Sequence, residues 1–228
     1  MNITVGSLAL FFKTETPGVL RSSEERLNLF QAFAGPGPVS GLRPGPHVRA
    51  RAGYDGMLVC AWEPEAYSFL LLVAAEQHGR MLQTPAGGYC LAKVVSDSAA
   101  HPWVKTVELA PRIRSLPLTG PVTLFTWTPL MLPADVIKNL KTAQNHLEKY
   151  GSTDPVLRQT DHWRILSLSI KPDRLVDTAR RGKITLTSPH PVAEHIMQLA
   201  IVRGFGRRTE SGYGHLDLHP DKYRGENR

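Results

Sequence analysis

The sequence has few cysteines, and none of them forms a pair with the spacing of a metal site. Cys60 and Cys90 are the only two cysteines among the 228 residues, and apolar residues surround each of them. Isolated cysteines in apolar surroundings are typical of reduced core residues in cytosolic proteins. We therefore expect two reduced thiols and no disulfide framework.

Long apolar runs are also missing. Residues 67 to 75 form the longest run beyond the N-terminus, and this run is too short to span a bilayer. The first residues, MNITVGSLALFF, lack a basic leader and a cleavage site, and Lys13 and Glu15 end the run. This pattern predicts a first strand rather than a signal peptide. Because no lipidation motif is present either, we expect a soluble, cytoplasmic protein with no membrane partner.

Several catalytic and cofactor motifs are absent. A dinucleotide fingerprint would need glycine where Thr209 stands, and no phosphate-binding Gly-Lys-Ser/Thr or nucleophilic Gly-x-Ser-x-Gly is found. His190, Glu194 and His195 have the wrong order for a zinc protease, and His215 has no carboxylate or cysteine to complete a ligand set. The sequence therefore predicts no cofactor and no metal site.

The charge balance is basic. The formal net charge is +7 and the isoelectric point is about 9.6. Clustered cations favour a polyanionic partner, although a basic soluble protein with no such partner fits the charge alone. Arginine pairs are prominent, and the guanidinium plane matches phosphate oxygens and stacks on bases, which favours nucleic acid. The pairs are Arg49/Arg51, Arg180/Arg181 and Arg207/Arg208.

The second half of the chain has a clear periodic pattern. β-Branched and aromatic runs alternate with two segments in which apolar residues recur at helical spacing. Pro133 and Pro191 open the two helices, and Gly151 ends the first. The predicted order is strand, helix, strand, strand, helix, strand, at residues 121–127, 133–150, 163–170, 183–187, 191–202 and 214–218. This is the ferredoxin-like βαββαβ plan.

The first half allows the same plan. Ser22 and Glu25 form a capping box before a helix with Leu27, Phe30 and Phe33 on its apolar face. Strands are predicted at residues 2–12, 47–51, 57–62, 89–95 and 104–109, with a second helix at 64–78, for which a buried strand is an alternative. Residues 35–46, rich in proline and glycine, are expected to form an exposed loop, and residues 53–56 a hairpin turn.

These patterns predict an α+β protein of two tandem ferredoxin-like halves with antiparallel sheets and a C-terminal glycine-rich loop. Domains are expected at residues 1–115 and 116–228, with the joint near residues 111–121.

The glycine-rich loop at residues 204–214 reads GFGRRTESGYG. Glycines let backbone N–H groups approach a ligand closely, and the two arginines add positive charge. An ordinary glycine-rich turn between a helix and a strand is the alternative.

Two glycine-hydrophobic-glycine triplets flank five residues in this loop, after the last helix and before the last strand. This arrangement resembles the signature of the RAMP superfamily of CRISPR proteins, and the βαββαβ halves fit the same superfamily. Within it, the chain is most similar to the endoribonucleases that process repeat RNA, with a slight resemblance to the type IV branch. The resemblance implies RNA binding and metal-independent cleavage, in which a 2′-hydroxyl attacks the adjacent phosphate.

That chemistry needs a base near the 2′-oxygen, an acid near the leaving 5′-oxygen and positive charge beside the phosphorane. The resemblance places such a residue near the first helix or the loop after it, where His47 stands beside Arg49 and Arg51. A solvated loop histidine is the alternative. Arg21 and Arg26 are candidates for an arginine-based site, and Tyr54 is a further one.

The expected RNA contacts are basic residues and loop glycines. They are Arg49, Arg51, Lys138, Lys141, Arg180, Arg181, Gly204, Gly206, Arg207, Arg208, Gly212 and Gly214. The resemblance implies that a CRISPR repeat or guide RNA stem-loop and other CRISPR effector subunits are the partners. A subunit that binds the guide RNA handle without cleaving it shares the same features, and an RRM-type module is disfavoured because its aromatic strand motif is absent.

Overall fold

The computed structural model describes residues 3–35, 39–109, 118, 120–128, 130–131, 136–151, 163–172, 179–207, 209–212 and 214–218. The chain divides into two compact units. The N-terminal unit is Val5–Thr106 with Arg208–Gly212, and the C-terminal unit is Met1–Thr4, Val107–Arg207 and Tyr213–Arg228. The division after residue 106 precedes the predicted joint, most of which lies outside the described residues.

The described part of the N-terminal unit contains two helices and five strands, and a sixth strand begins at its end. In order these are β1 (Thr4–Thr14), a 3₁₀ turn (Val19–Arg21), α1 (Ser23–Ala34), β2 (Leu42–Val48), β3 (Tyr54–Ala61), α2 (Pro64–Gln77), β4 (Met81–Thr84), β5 (Gly87–Val95) and β6 (Thr106–Glu108), which runs across the division. The strand order is β2-β3-β1-β5-β4, with antiparallel pairing. If β5 is counted as the fourth strand of a βαββαβ unit, the order β2-β3-β1-β5 is the ferredoxin-like order.

Alternation along β1 determines which face of this sheet is buried. Leu8, Leu10 and Phe12 project to one face and join a buried cluster. Leu29 and Phe33 of α1 belong to the same cluster. Helix α1 begins as the capping box predicts, because the Ser22 side chain accepts a hydrogen bond from the Glu25 N–H at 3.5 Å.

The C-terminal unit repeats the plan. Its elements are β7 (Val122–Thr126), β8 (Leu130–Met131), α3 (Val136–Gly151), β9 (Arg164–Pro172), β10 (Ala179–Thr187), α4 (Ala193–Arg203) and β11 (Leu216–Leu218). The ladder runs β11-β7-β10, with β9 on the other side of β10 and β8 pairing with the first residues of β10. The predicted start of α3 at Pro133 lies outside the described residues.

The predicted architecture of two tandem ferredoxin-like halves is confirmed, and residues 64–77 form the predicted helix rather than a strand. No helix within the described part of the chain is both long enough and apolar enough to cross a membrane.

The predicted exposed loop at residues 35–46 is wrong for its second part. Residues 42–48 form β2, and all of them are buried except the half-buried His47. The prolines fit because β2 is an edge strand and its register shifts between Pro44 and His47, so ladder positions without an N–H are tolerated. Gly45 leaves room for Leu58, whose Cβ would lie 2.9 Å from a Cβ at position 45.

The predicted hairpin turn is also displaced. Tyr54, Asp55 and Gly56 belong to β3, and residues 49–53 make the connection, with Gly53 at a φ of 80°. The short strands β4 and β8 were not predicted, because four and two residues are too few for alternation to be recognised.

The glycine-rich loop is closed by a backbone hydrogen bond between its two triplets. Gly204 ends α4 and the Phe205 N–H donates to the Gly214 carbonyl at 2.8 Å, while the Phe205 side chain is fully buried. Gly214 has a φ of 69°, and a Cβ there would lie 1.7 Å from the Phe205 carbonyl oxygen. The second triplet therefore needs glycine at this position for steric reasons.

Gly214→Ala is expected to lower the free energy of unfolding by about 1–3 kcal/mol, because the backbone must move from its left-handed conformation. Urea denaturation of the full chain measures this. Gly120→Ala is the control, since a Cβ at Gly120 has no atom of the described residues within 4 Å and its φ is not positive. Equal stability of the two variants would show that the close approach is relaxed at no cost.

Candidate active site

Among the described residues, one basic and one acidic side chain lie within ion-pair distance of each other, and they are His47 and Asp55. The Nε2 atom of His47 in β2 lies 2.5 Å from Oδ1 of Asp55 in β3. The His47 side chain is 20% exposed, whereas Asp55 is 1% exposed. The imidazole therefore reaches solvent while its anchoring carboxylate does not.

Asp55 is held by backbone donors as well. Its Oδ2 accepts hydrogen bonds from the N–H groups of Gly18, at 2.8 Å, and Leu20, at 3.0 Å. Its Oδ1 accepts a further bond from the Gly56 N–H at 3.1 Å. The carboxylate thus fixes the 3₁₀ turn at Val19–Arg21 to the beginning of β3, and it does so beside His47.

The pKa of Asp55 lies below its ordinary value. Burial by itself raises the pKa, but the hydrogen bonds from His47, Leu20 and Gly18 and the charge of His47 outweigh it. The carboxyl group is therefore ionised at neutral pH.

An ionised Asp55 determines which imidazole nitrogen carries the proton. Oδ1 accepts only from a protonated Nε2, so the neutral ring is the Nε2–H tautomer. Nδ1 is then the basic nitrogen, as a general base requires. The sequence pattern predicts a turn at Asp55, and it does not indicate that Asp55 contacts His47.

The two candidate arginines differ in their surroundings. Arg26 is buried, and its Nη1 donates to the carbonyls of Leu20 and Arg21 at 2.8 and 2.9 Å. Those contacts hold the 3₁₀ turn against α1, so transition-state stabilisation, the role expected from the sequence, does not fit Arg26. Arg21 is exposed at the end of the same turn.

Three further polar side chains, Glu25, Thr84 and Tyr89, interact with one another, and Tyr89 lies within electrostatic range of Asp55. Thr84 donates to the buried carboxylate of Glu25, which also interacts with Tyr89. Burial and the nearby carboxylates of Glu25 and Asp55 raise the pKa of Tyr89 to about 12. The phenol is therefore neutral at physiological pH.

The expected RNA-binding residues are distributed over both units. Arg49 and Arg51 follow β2 directly and are exposed, close in sequence to His47. Arg180 and Arg181 lie in β10, Lys138 and Lys141 in α3, and Arg207 is exposed in the glycine-rich loop. Arg208 lies outside the described residues, and the exposed Tyr54 begins β3. No three histidine, cysteine or acidic side chains in the described ranges gather as a metal would need.

Solved Cas6 structures resemble the chain over almost its whole length. A histidine-to-alanine mutant of a Cas6 protein has a TM-score of 0.66 and 18% identity, and a Cas6 product complex has 0.66 and 17%. A Cas6-related protein from Pyrococcus furiosus has 0.55 and 12%. Each alignment covers 95% of this chain and 99% of the other. The chain has the Cas6 fold.

The likeness to Cas6 lies in the fold rather than in the sequence. Neither a protein-family model nor a curated protein matches the chain. The fold that the resemblance implied is confirmed, whereas the resemblance to the type IV branch stays a prediction. His47 and Asp55 lie in the N-terminal half of this Cas6 fold.

Asp55→Asn is expected to lower the free energy of unfolding at neutral pH by about 1–3 kcal/mol, because charge-assisted hydrogen bonds are lost. A lowered folded-state pKa stabilises the fold above the unfolded value of 3.8, and this stabilisation is lost as pH falls through the folded pKa. The difference from wild type should therefore be constant above about pH 5 and shrink below 3.8.

Chemical denaturation across pH measures this difference. Asp97→Asn is the matched control, since Asp97 is exposed and its carboxylate accepts one local hydrogen bond from the Ala99 N–H. A difference for Asp55→Asn that stays constant down to the most acid pH would contradict the assignment.

Proposed function

We propose that this protein is an endoribonuclease that cleaves CRISPR repeat RNA without a metal ion and stays bound to the mature guide RNA. The observation that carries the proposal is the His47–Asp55 pair in a chain with the Cas6 fold. A partly exposed imidazole held by a buried carboxylate is an arrangement suited to proton transfer. The Cas6 product complex adds support, because it belongs to a protein of the same fold.

In the proposed reaction His47 acts as general base. Its Nδ1 takes the proton of a 2′-hydroxyl, and the 2′-oxygen forms a bond to the adjacent phosphorus. The bond from phosphorus to the 5′-oxygen breaks, leaving a 2′,3′-cyclic phosphate. The departing 5′-oxygen takes a proton from solvent, which completes the transfer.

Asp55 and Arg21 have supporting roles in this proposal. Asp55 is a positioning residue, since it holds the Nε2–H tautomer and stabilises the imidazolium that forms when Nδ1 is protonated. Arg21 is exposed on the turn whose N–H groups Asp55 binds, and its guanidinium would stabilise the charge on the phosphorane. Arg26 would hold this turn in place.

The RNA would be bound mainly through its phosphates. Arg49 and Arg51, which are exposed and follow His47 by two and four residues, would bind the backbone, and the glycine-rich loop with Arg207 would supply N–H groups and a further cation. Lys138 and Lys141 of α3 and Arg180 of β10 would contact a stem-loop. Continued binding after cleavage would hand the guide RNA to other CRISPR effector subunits.

The second candidate is a non-catalytic subunit that holds the guide RNA handle. The observation that favours it is the number of hydrogen bonds to Asp55, since a pair that merely stabilises the 3₁₀ turn would show them too. The two candidates differ only in whether RNA is cut.

His47→Ala is expected to lower the single-turnover cleavage rate of a repeat RNA by about 10²- to 10⁴-fold while RNA affinity is retained, because the base is lost and the cations are not. His78→Ala is the matched control, as His78 is exposed and bonds only the Ala92 carbonyl. Full activity of His47→Ala would remove His47 from the mechanism and make Arg21→Ala the next test.

The paired substitution Arg49→Ala/Arg51→Ala is expected to weaken RNA binding at every salt concentration and to flatten its salt dependence. Two lost phosphate contacts reduce the slope of log affinity against log salt by about 1.5 to 2. Fluorescence anisotropy with labelled repeat RNA measures it. Arg80→Ala/Lys93→Ala removes the same charge from exposed side chains of the same unit. An equal slope change in both pairs would mean that only net charge matters.

A further inference from the structure

A pocket of about 410 Å³ opens on the sheet of the C-terminal unit. Its residues come from β7, β9 and β10 and the position after β7: Phe125, Thr126, Trp127, Ser169, Lys171, Arg181, Gly182 and Lys183. Phe125 pairs with Lys183, and Lys183 with Ser169, so these side chains share one face of the sheet. The neighbouring Leu124 and Ile184 project to the opposite face and are fully buried.

Positive charge lines this pocket. Lys171, Arg181 and Lys183 are all exposed, and none of the described residues that line the pocket carries a carboxylate. Asp217, which pairs with Phe125 from β11, is fully buried and does not line the pocket. Three cations around an open, shallow depression favour an anionic ligand.

The pocket also has an aromatic side. Phe125 and Trp127 are half-buried there, and Nη1 of Arg181 donates to the Trp127 carbonyl at 3.2 Å. This hydrogen bond places a guanidinium beside the backbone of an aromatic residue. Aromatic rings and guanidinium planes are the groups on which unpaired bases stack.

The floor of the pocket is held rigidly. Thr126 Oγ1 accepts from the Gly182 N–H at 2.8 Å and donates to the Gly182 carbonyl at 3.3 Å. A Cβ at Gly182 would lie 2.0 Å from the Ser169 carbonyl oxygen, so β9 and β10 approach too closely for any side chain. The aromatic and cationic groups are thus presented by a fixed sheet rather than by a loop.

We propose that this pocket binds an unpaired RNA nucleotide, with the base against Phe125 and Trp127 and the phosphates on Lys171 and Lys183. The proposal deepens the proposed function and rests on it for the choice of RNA, since it adds a subsite for single-stranded repeat sequence next to the stem. The volume lies within the range for small-molecule sites, and a free phosphate would leave the aromatic side unused.

The test uses the full-length protein and a labelled seven-nucleotide RNA that cannot form a stem. Lys171→Gln/Lys183→Gln is expected to weaken its binding about tenfold relative to wild type. Arg80→Gln/Lys93→Gln, which removes the same charge outside the pocket, should change binding much less. Equal weakening in the two pairs would overturn the proposal.

A second measurement on the wild-type protein separates stacking from phosphate binding. The same oligonucleotide with abasic residues is expected to bind about tenfold more weakly, because no base is left to stack. Equal affinity for the abasic and the intact oligonucleotide would show that only anions are bound and would overturn the base subsite. Displacement of the labelled RNA by polyglutamate as readily as by unlabelled RNA would do the same. These measurements do not require cleavage, so a protein that fails to cut repeat RNA fails the proposed function and not this test.

Discussion

The carboxylate of Asp55 joins three separate segments: the 3₁₀ turn after β1, the beginning of β3 and the imidazole of His47 in β2. A buried anion is costly unless hydrogen bonds replace its water, and here four donors replace it, three backbone N–H groups and one ring nitrogen. The 3₁₀ turn and the orientation of His47 therefore depend on the same carboxylate. The turn also carries Arg21, and its carbonyls accept hydrogen bonds from Arg26. Stability of the N-terminal unit and chemistry of the candidate site are coupled through this carboxylate.

This coupling gives the His47 ring its proposed role. With Nε2 held by Asp55, Nδ1 is the basic nitrogen of the partly exposed ring, and a single hydrogen bond determines the tautomer. The bulge in β2 allows this geometry, because the register shift between Pro44 and His47 lets a strand containing two prolines continue beside β3. The proline- and glycine-containing segment that was expected to be a loop therefore forms β2, the strand that carries the candidate base His47.

Periodicity predicted the C-terminal half well because its helices and strands are long enough to repeat. In α3, Val136, Leu140, Ala143 and Leu147 are all buried, as their spacing indicates. The site was harder to predict, because a histidine and an aspartate eight residues apart meet only across a bulged ladder, and Asp55-Gly56 reads as a turn. The sequence predicts Arg26 as a candidate catalytic cation, because the spacing after Ser22 does not show that its guanidinium donates to the carbonyls of the 3₁₀ turn.

The measurement that bears most directly on the central claim is the identity of the RNA ends after incubation with the full-length protein. A repeat RNA labelled at both ends is mixed with the protein in EDTA, and the products are resolved with end-group analysis. We expect one cut that leaves a 2′,3′-cyclic phosphate and a 5′-hydroxyl. RNA that is bound but remains intact would contradict the enzyme and indicate a guide-binding subunit.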